Sequence, residues 1–75
     1  MPDDRAIEIA ENADLVLNGY AVTRDGDNFR VVNLRSGKAA YIMNDGTLNE
    51  TNMDNVESDI AIRIVLDNRR YITAA

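Results

Sequence analysis

Residues 20–49 read YAVTRDGDNFRVVNLRSGKAAYIMNDGTLN, and the punctuation of this stretch decides the fold. Two apolar-rich runs, 20–24 and 29–34, flank Asp25-Gly26-Asp27-Asn28, whose residues favour a tight β-hairpin turn. Arg35-Ser36-Gly37 separates a further run, 38–43, and Asn44-Asp45-Gly46 introduces a weak fourth near 47–49. Loops this short join neighbouring antiparallel strands. The stretch predicts a small antiparallel meander of three to four strands.

Outward on the N-terminal side the pattern changes to that of a helix. Ala6, Ile9, Ala10, Ala13, Val16 and Leu17 fall within about 120° of arc at 100° per residue, the mark of one buried face. Pro2 and the Asp3/Asp4 pair suit a first turn, and Asn18-Gly19 supplies a stop. On this reading Asp4, Glu8 and Glu11 occupy the opposite side, with Asp14 on its flank. Leu15 then projects among the acids, and Ile7 borders the apolar stripe.

The C-terminal side admits two readings. Asp54 and Glu57 have the spacing of a capping box, Met53 can staple the helix start, and Val56, Ile60 and Ile64 recur at helical spacing. Residues 60–67 also alternate at period two, so 60–72 could instead form a hairpin turning at Asp67-Asn68. The cap, the length and Arg69/Arg70 near a helix C-terminus favour the helix. The expected architecture is α+β in the order α-β-β-β-(β)-α, one domain over 1–75, with both helices on one face of the sheet.

That arrangement has a consequence for the surface. Phe29 and Val31 point to one side of the sheet, and Val32 and Leu34 to the other. Ala39, Tyr41 and Met43 likewise oppose Ala40 and Ile42. Both faces are substantially apolar, so helices confined to one leave the other as a candidate surface for a homodimer or another protein.

Composition bounds the chemistry. The 75 residues include no cysteine, histidine or tryptophan. Disulfides, thiol nucleophiles, Cys/His zinc sites and triads built on imidazole are excluded. The formal net charge is −5, unevenly spread: −4 over residues 1–19, +1 over 20–47 and −2 over 48–75. A negative field of this kind opposes direct nucleic-acid binding. The acidic N-terminus does not resemble a secretory signal, and no apolar run approaches the ~20 residues of a membrane span. The reading is a cytoplasmic protein with no membrane contact.

No motif supplies a cofactor or metal site. Gly37-Lys38 lacks the first glycine and the helix of a phosphate loop. Counting from Asp25 as an EF-hand start, the fifth position is Phe29 and the twelfth Ser36, which cannot complete a calcium loop. Ser36 and Ser58 have no histidine to activate them, and Glu8/Glu11 or Glu57/Asp59 would need a cleft that a two-layer domain of this size hardly provides. The expectation is no enzyme.

With a small catalytic domain argued down, two function classes compete for these residues. A non-enzymatic protein-interaction module of unknown target fits the acidic, aliphatic-bearing first helix. An RNA-binding sheet would use Tyr20, Phe29 and Tyr41 as stacking platforms beside Arg24, Arg30 and Lys38. A sharper form of the first class is an acidic inhibitor that mimics nucleic acid. In size, acidity and lack of catalytic residues the chain is similar to anti-CRISPR and anti-restriction proteins, and no residue is carried over from that profile. Mimicry would use Asp4, Glu8, Glu11 and Asp14 as a phosphate-like row, with Glu50, Asp54, Glu57 and Asp59 as a second cluster. Together with Ile7 and Leu15 these are the expected partner-binding residues.

Overall fold

The computed structural model describes residues 4–72. The element order is α1 (Asp4–Asn12), β1 (Leu15–Leu17), β2 (Tyr20–Asp25), β3 (Asn28–Asn33), β4 (Ala39–Ile42), β5 (Leu48–Thr51) and α2 (Asn55–Asn68). All five strands form one antiparallel sheet in the order β1-β2-β3-β4-β5. The α+β class and the helix–meander–helix order are as the sequence predicts.

One strand is additional. The first helix does not run to Leu17 but ends at Asn12, whose side-chain amide donates to the Glu8 carbonyl at 2.9 Å. Asp14 N–H then donates to the Val22 carbonyl at 2.9 Å, which hands the chain to the sheet. Leu15-Val16-Leu17 pairs with 20–22, and Asn18 and Gly19 both take positive φ, 53° and 79°. Two consecutive left-handed residues make the type I′ turn that matches strand twist. Asn-Gly ends helices and turns hairpins with equal ease, so the dipeptide alone leaves both outcomes open.

The C-terminal segment resolves as a helix with the expected capping box. Asp54 Oδ1 accepts from Glu57 N–H at 2.7 Å, and Asp54 N–H donates to Glu57 Oε1 at 3.4 Å. Its buried residues are Ser58, Ala61, Ile64 and Val65, not the Val56/Ile60/Ile64 stripe of the sequence reading. Glu57 is the cause. Its Oε2 also accepts from Asn33 Nδ2 and Ser36 Oγ at 2.7 and 2.9 Å, so residue 57 must face the sheet. Positions four, seven and eight further on follow it inward, and those are Ala61, Ile64 and Val65.

The helices lie on opposite faces of the sheet rather than on one. Strand pairing puts Tyr20, Val22, Phe29, Val31, Ala40 and Ile42 on one face, where α2 and Ile72 cover them. Val22, Phe29, Val31 and Ile42 are wholly buried there. Ala21, Thr23, Arg30 and Val32 point the other way, and α1 packs beside them with Ala6 buried. Each face carries apolar side chains near the first strands, so each needs its own cover; burying both outweighs doubling the cover on one. Among the described residues the bare apolar face expected from the sequence is therefore not found: Ala21 and Val32 are buried, and beyond α1 that face shows Arg30, Tyr41, Asp25 and Glu50. Among the described residues no helix is long and apolar enough to cross a membrane.

Candidate interaction surfaces

The expected acidic residues have different neighbours. Asp4, Glu8 and Glu11 are exposed on α1 and follow one another at four and three residues, a single stripe along the helix. Asp4 and Glu8 line a cleft whose far wall is Thr23, Arg30 and Val32. Ile7 is 57% exposed on the other flank of the helix. Asp14 is not part of this row: it lies between α1 and β1, and its Oδ2 accepts the Arg24 N–H at 2.6 Å. Leu15 does not project among acids either, because it sits in β1 and packs against the core.

The second expected cluster is not one cluster. Asp54 and Glu57 are engaged in the helix cap, and Glu57 further binds Asn33 and Ser36. Those hydrogen bonds, first from Ser36 and then from Asn33, hold its carboxyl below the usual glutamate range. Glu50 lies opposite Tyr41 on β5, across the sheet from α2, while Asp59 is on the exposed side of α2. Near Glu50 the Tyr41 hydroxyl donates to Asp25 Oδ2 at 3.0 Å, and that bond raises the phenol's pKa.

The aromatic set divides likewise. Tyr20 and Phe29 are buried beneath α2, and Tyr41 belongs to the other face. Arg24 lies 5.5 Å from the Phe29 ring centroid, donates through Nε to the Gly26 carbonyl and through Nη1 to that of Ile72. It ties the β2–β3 turn to the chain after α2. No shared stacking platform is formed by these three rings.

Sequence reasoning missed a hollow beside α2. A groove of about 910 Å³ runs between the β1–β2 hairpin and α2. Leu17, Tyr20, Ile60 and Ile64 supply apolar wall, and Asp59, Arg63, Asp67 and Arg35 bring charges of both signs to it. Leu17 and Ile60 are each 38% exposed, so the groove keeps two large aliphatic side chains partly in water. The signals that find it are indirect. Reading Asn18-Gly19 as a hairpin turn puts Leu17 on an edge strand, and phasing α2 from Glu57 turns Ile60 outward.

Along the same edge the backbone carries information. Leu17 pairs with Tyr20 across a two-residue turn, which makes them the hydrogen-bonded pair that closes the hairpin. Bonded and unbonded pairs alternate, so Val16, opposite Ala21, directs its N–H and C=O away from β2. Its side chain is 46% exposed. The other edge strand, β5, is wholly exposed but polar, with Asn49 and Glu50 at an irregularity in its pairing. Charge and irregular pairing blunt an edge against association. β1 carries no charge within its span, and it is only three residues long.

Residues 3–72 match a family of unknown function (DUF7723), and the chain belongs to that family. No curated protein and no solved structure matches it.

Proposed function

We propose that the chain is a non-enzymatic protein-interaction module whose working surface is the groove between α2 and the β1–β2 hairpin. The observation that carries this reading is the pair Leu17 and Ile60, both 38% exposed on walls of one groove. Apolar area left in water gains about 25 cal/mol per Å² when a partner covers it. The mixed charges around it, Asp59, Asp67, Arg35 and Arg63, suit the polar rim of an interface. Capture from lysate of the source organism tests the reading. A tagged Leu17→Ser/Ile60→Ser bait should lose the protein that the wild-type bait retains, with little dependence on salt. Retention by the doubly substituted bait would remove the groove from consideration.

A second reading, the acidic mimic, keeps support from the α1 stripe. Asp4, Glu8 and Glu11 step along the helix by about 6 and 4.5 Å, at 1.5 Å rise per residue, and all three are exposed. Asp14, Asp54 and Glu57 are bound elsewhere, so the row is shorter than the sequence suggests. A Glu8→Lys/Glu11→Lys bait separates the two readings. Mimicry requires more than tenfold weaker capture at low salt and a smaller effect at high salt.

A further inference from the structure

We infer that the groove receives an amphipathic helix of a different protein, one whose flank carries a basic, an acidic and a basic residue at four-residue spacing. The inference rests on the groove as the working surface and names the chemistry of its occupant.

The width of the sheet is the first argument. α2 packs chiefly on β3, β4 and β5. On the same face β1 and β2 present Leu15, Leu17 and Tyr20 beside it. Strands lie about 4.8 Å apart, so two of them make a shelf roughly 10 Å wide. A helix with its side chains is about 10–12 Å across. The shelf is one helix wide, and α2 already stands as the neighbour against which a second helix would pack.

Backbone chemistry selects the same shape. A sheet face offers side chains, because its N–H and C=O groups lie in the plane of the sheet. An extended segment laid on that face would bury backbone groups with nothing to bond. A helix satisfies its own.

Charge identifies the flank. Asp59, Arg63 and Asp67 follow one another at four-residue spacing along α2, all exposed and all on the groove. Among the described residues no ion pair engages any of the three. A neighbouring helix with base, acid and base at the same spacing meets each of them with the opposite sign. The row reads alike in both directions, so parallel and antiparallel helices satisfy it equally. A second copy of the chain cannot supply the complement. Each of its helices holds a single basic residue, Arg5 in α1 and Arg63 in α2. Two copies of α2 laid antiparallel would set Arg63 against Arg63 and acid against acid. Leu17 and Ile60 hold the incoming helix by apolar contact, while the charged row rejects wrong ones.

Calorimetric titration of the intact chain with two designed helical peptides tests this. Both peptides carry a leucine stripe. One bears Lys, Glu and Lys at four-residue spacing on its flank, the other Glu, Lys and Glu, with residues on the outer face equalising net charge. The first should bind more than tenfold tighter at low salt, and the gap should narrow as salt rises. Asp59→Lys/Arg63→Glu/Asp67→Lys alters only exposed positions and leaves the chain net negative. It should reverse the preference, which a general field cannot do. Leu17→Ser/Ile60→Ser should weaken both peptides, and Ile60→Ser alone serves if the double variant does not fold. Equal affinities, an unreversed preference in the swapped chain, or failure of both peptides to bind overturns the inference. If the Leu17→Ser/Ile60→Ser bait still loses a captured protein in that case, the helical occupant falls and the groove reading stands. If the bait retains it, both fall.

Discussion

Asn33 donates its side-chain amide to Glu57 Oε2 at 2.7 Å, joining the end of β3 to the first turn of α2. The same asparagine turns its Oδ1 to the N–H of Arg35 at 2.9 Å and so shapes the β3–β4 turn. Ser36 Oγ, on that turn, donates to the same carboxylate oxygen. One carboxylate thus starts the helix, docks it and sets which residues it buries.

Glu57 should make the fold acid-sensitive. Its carboxyl is held below the ordinary value of 4.5 by hydrogen bonds from Ser36 and Asn33. A depressed carboxyl contributes stability that is present above 4.5 and is lost as pH falls through the folded-state value. Urea midpoints measured from pH 7 down to pH 3 should fall more steeply for the wild type than for Glu57→Gln. Parallel curves would assign the acid response to other groups.

Tyr20 should act at the other end of the scale. Burial first, then the nearby Glu57, raises its phenol above the ordinary value of 10. A raised acid favours the folded state below 10 and loses that contribution as pH rises through the folded value. Tyr20→Phe should flatten the decline in thermal midpoint seen above pH 10.

Gly46 cannot accept a side chain without a double cost. Its φ is +93°, and a Cβ there would lie 2.9 Å from Leu66 Cδ2 on α2. Gly46→Ala should destabilise by about 1–3 kcal/mol. In a Leu66→Ala background the steric share should vanish while the backbone share persists, which a double-mutant cycle reads directly. Strict additivity would show that the two residues do not meet.

Asp14 and Glu11 should differ although both are exposed acids close in sequence. Asp14→Ala removes the acceptor of the 2.6 Å bond from Arg24 N–H and should cost about 1 kcal/mol. Glu11→Ala, on the outer side of α1, should stay within about 0.5 kcal/mol. Chemical denaturation of the two variants side by side decides the matter, and equal effects would mean that the Asp14 contact contributes nothing.

What the sequence disclosed follows from the range of each interaction. The hairpins at 25–28 and 44–46 and the cap at Asp54 are local devices, and each is in place. Leu15-Val16-Leu17 satisfies both a helical arc and a strand, and the choice depends on pairing with 20–22, which periodicity does not encode. The phase of α2 was hidden for a similar reason. It is fixed by Asn33 and Ser36, more than twenty residues away, so Ile60 reads as core although it faces the groove. Of the expected surface residues, Asp4, Ile7, Glu8 and Glu11 stand in the open on α1 as anticipated. Asp14, Asp54 and Glu57 are tied to backbone or side-chain partners that only the folded chain brings near.

The order of the elements has a bearing on how the chain emerges during synthesis. The side chains that α2 shields, Val22, Phe29, Val31 and Ile42, all precede it, whereas Ala61, Ile64 and Val65 come late. A nascent chain released only as far as Asn52 would hold a sheet with one oily side unprotected. Completion of that core waits for residues 53–68, and until they are available the oily side is open to other apolar contacts.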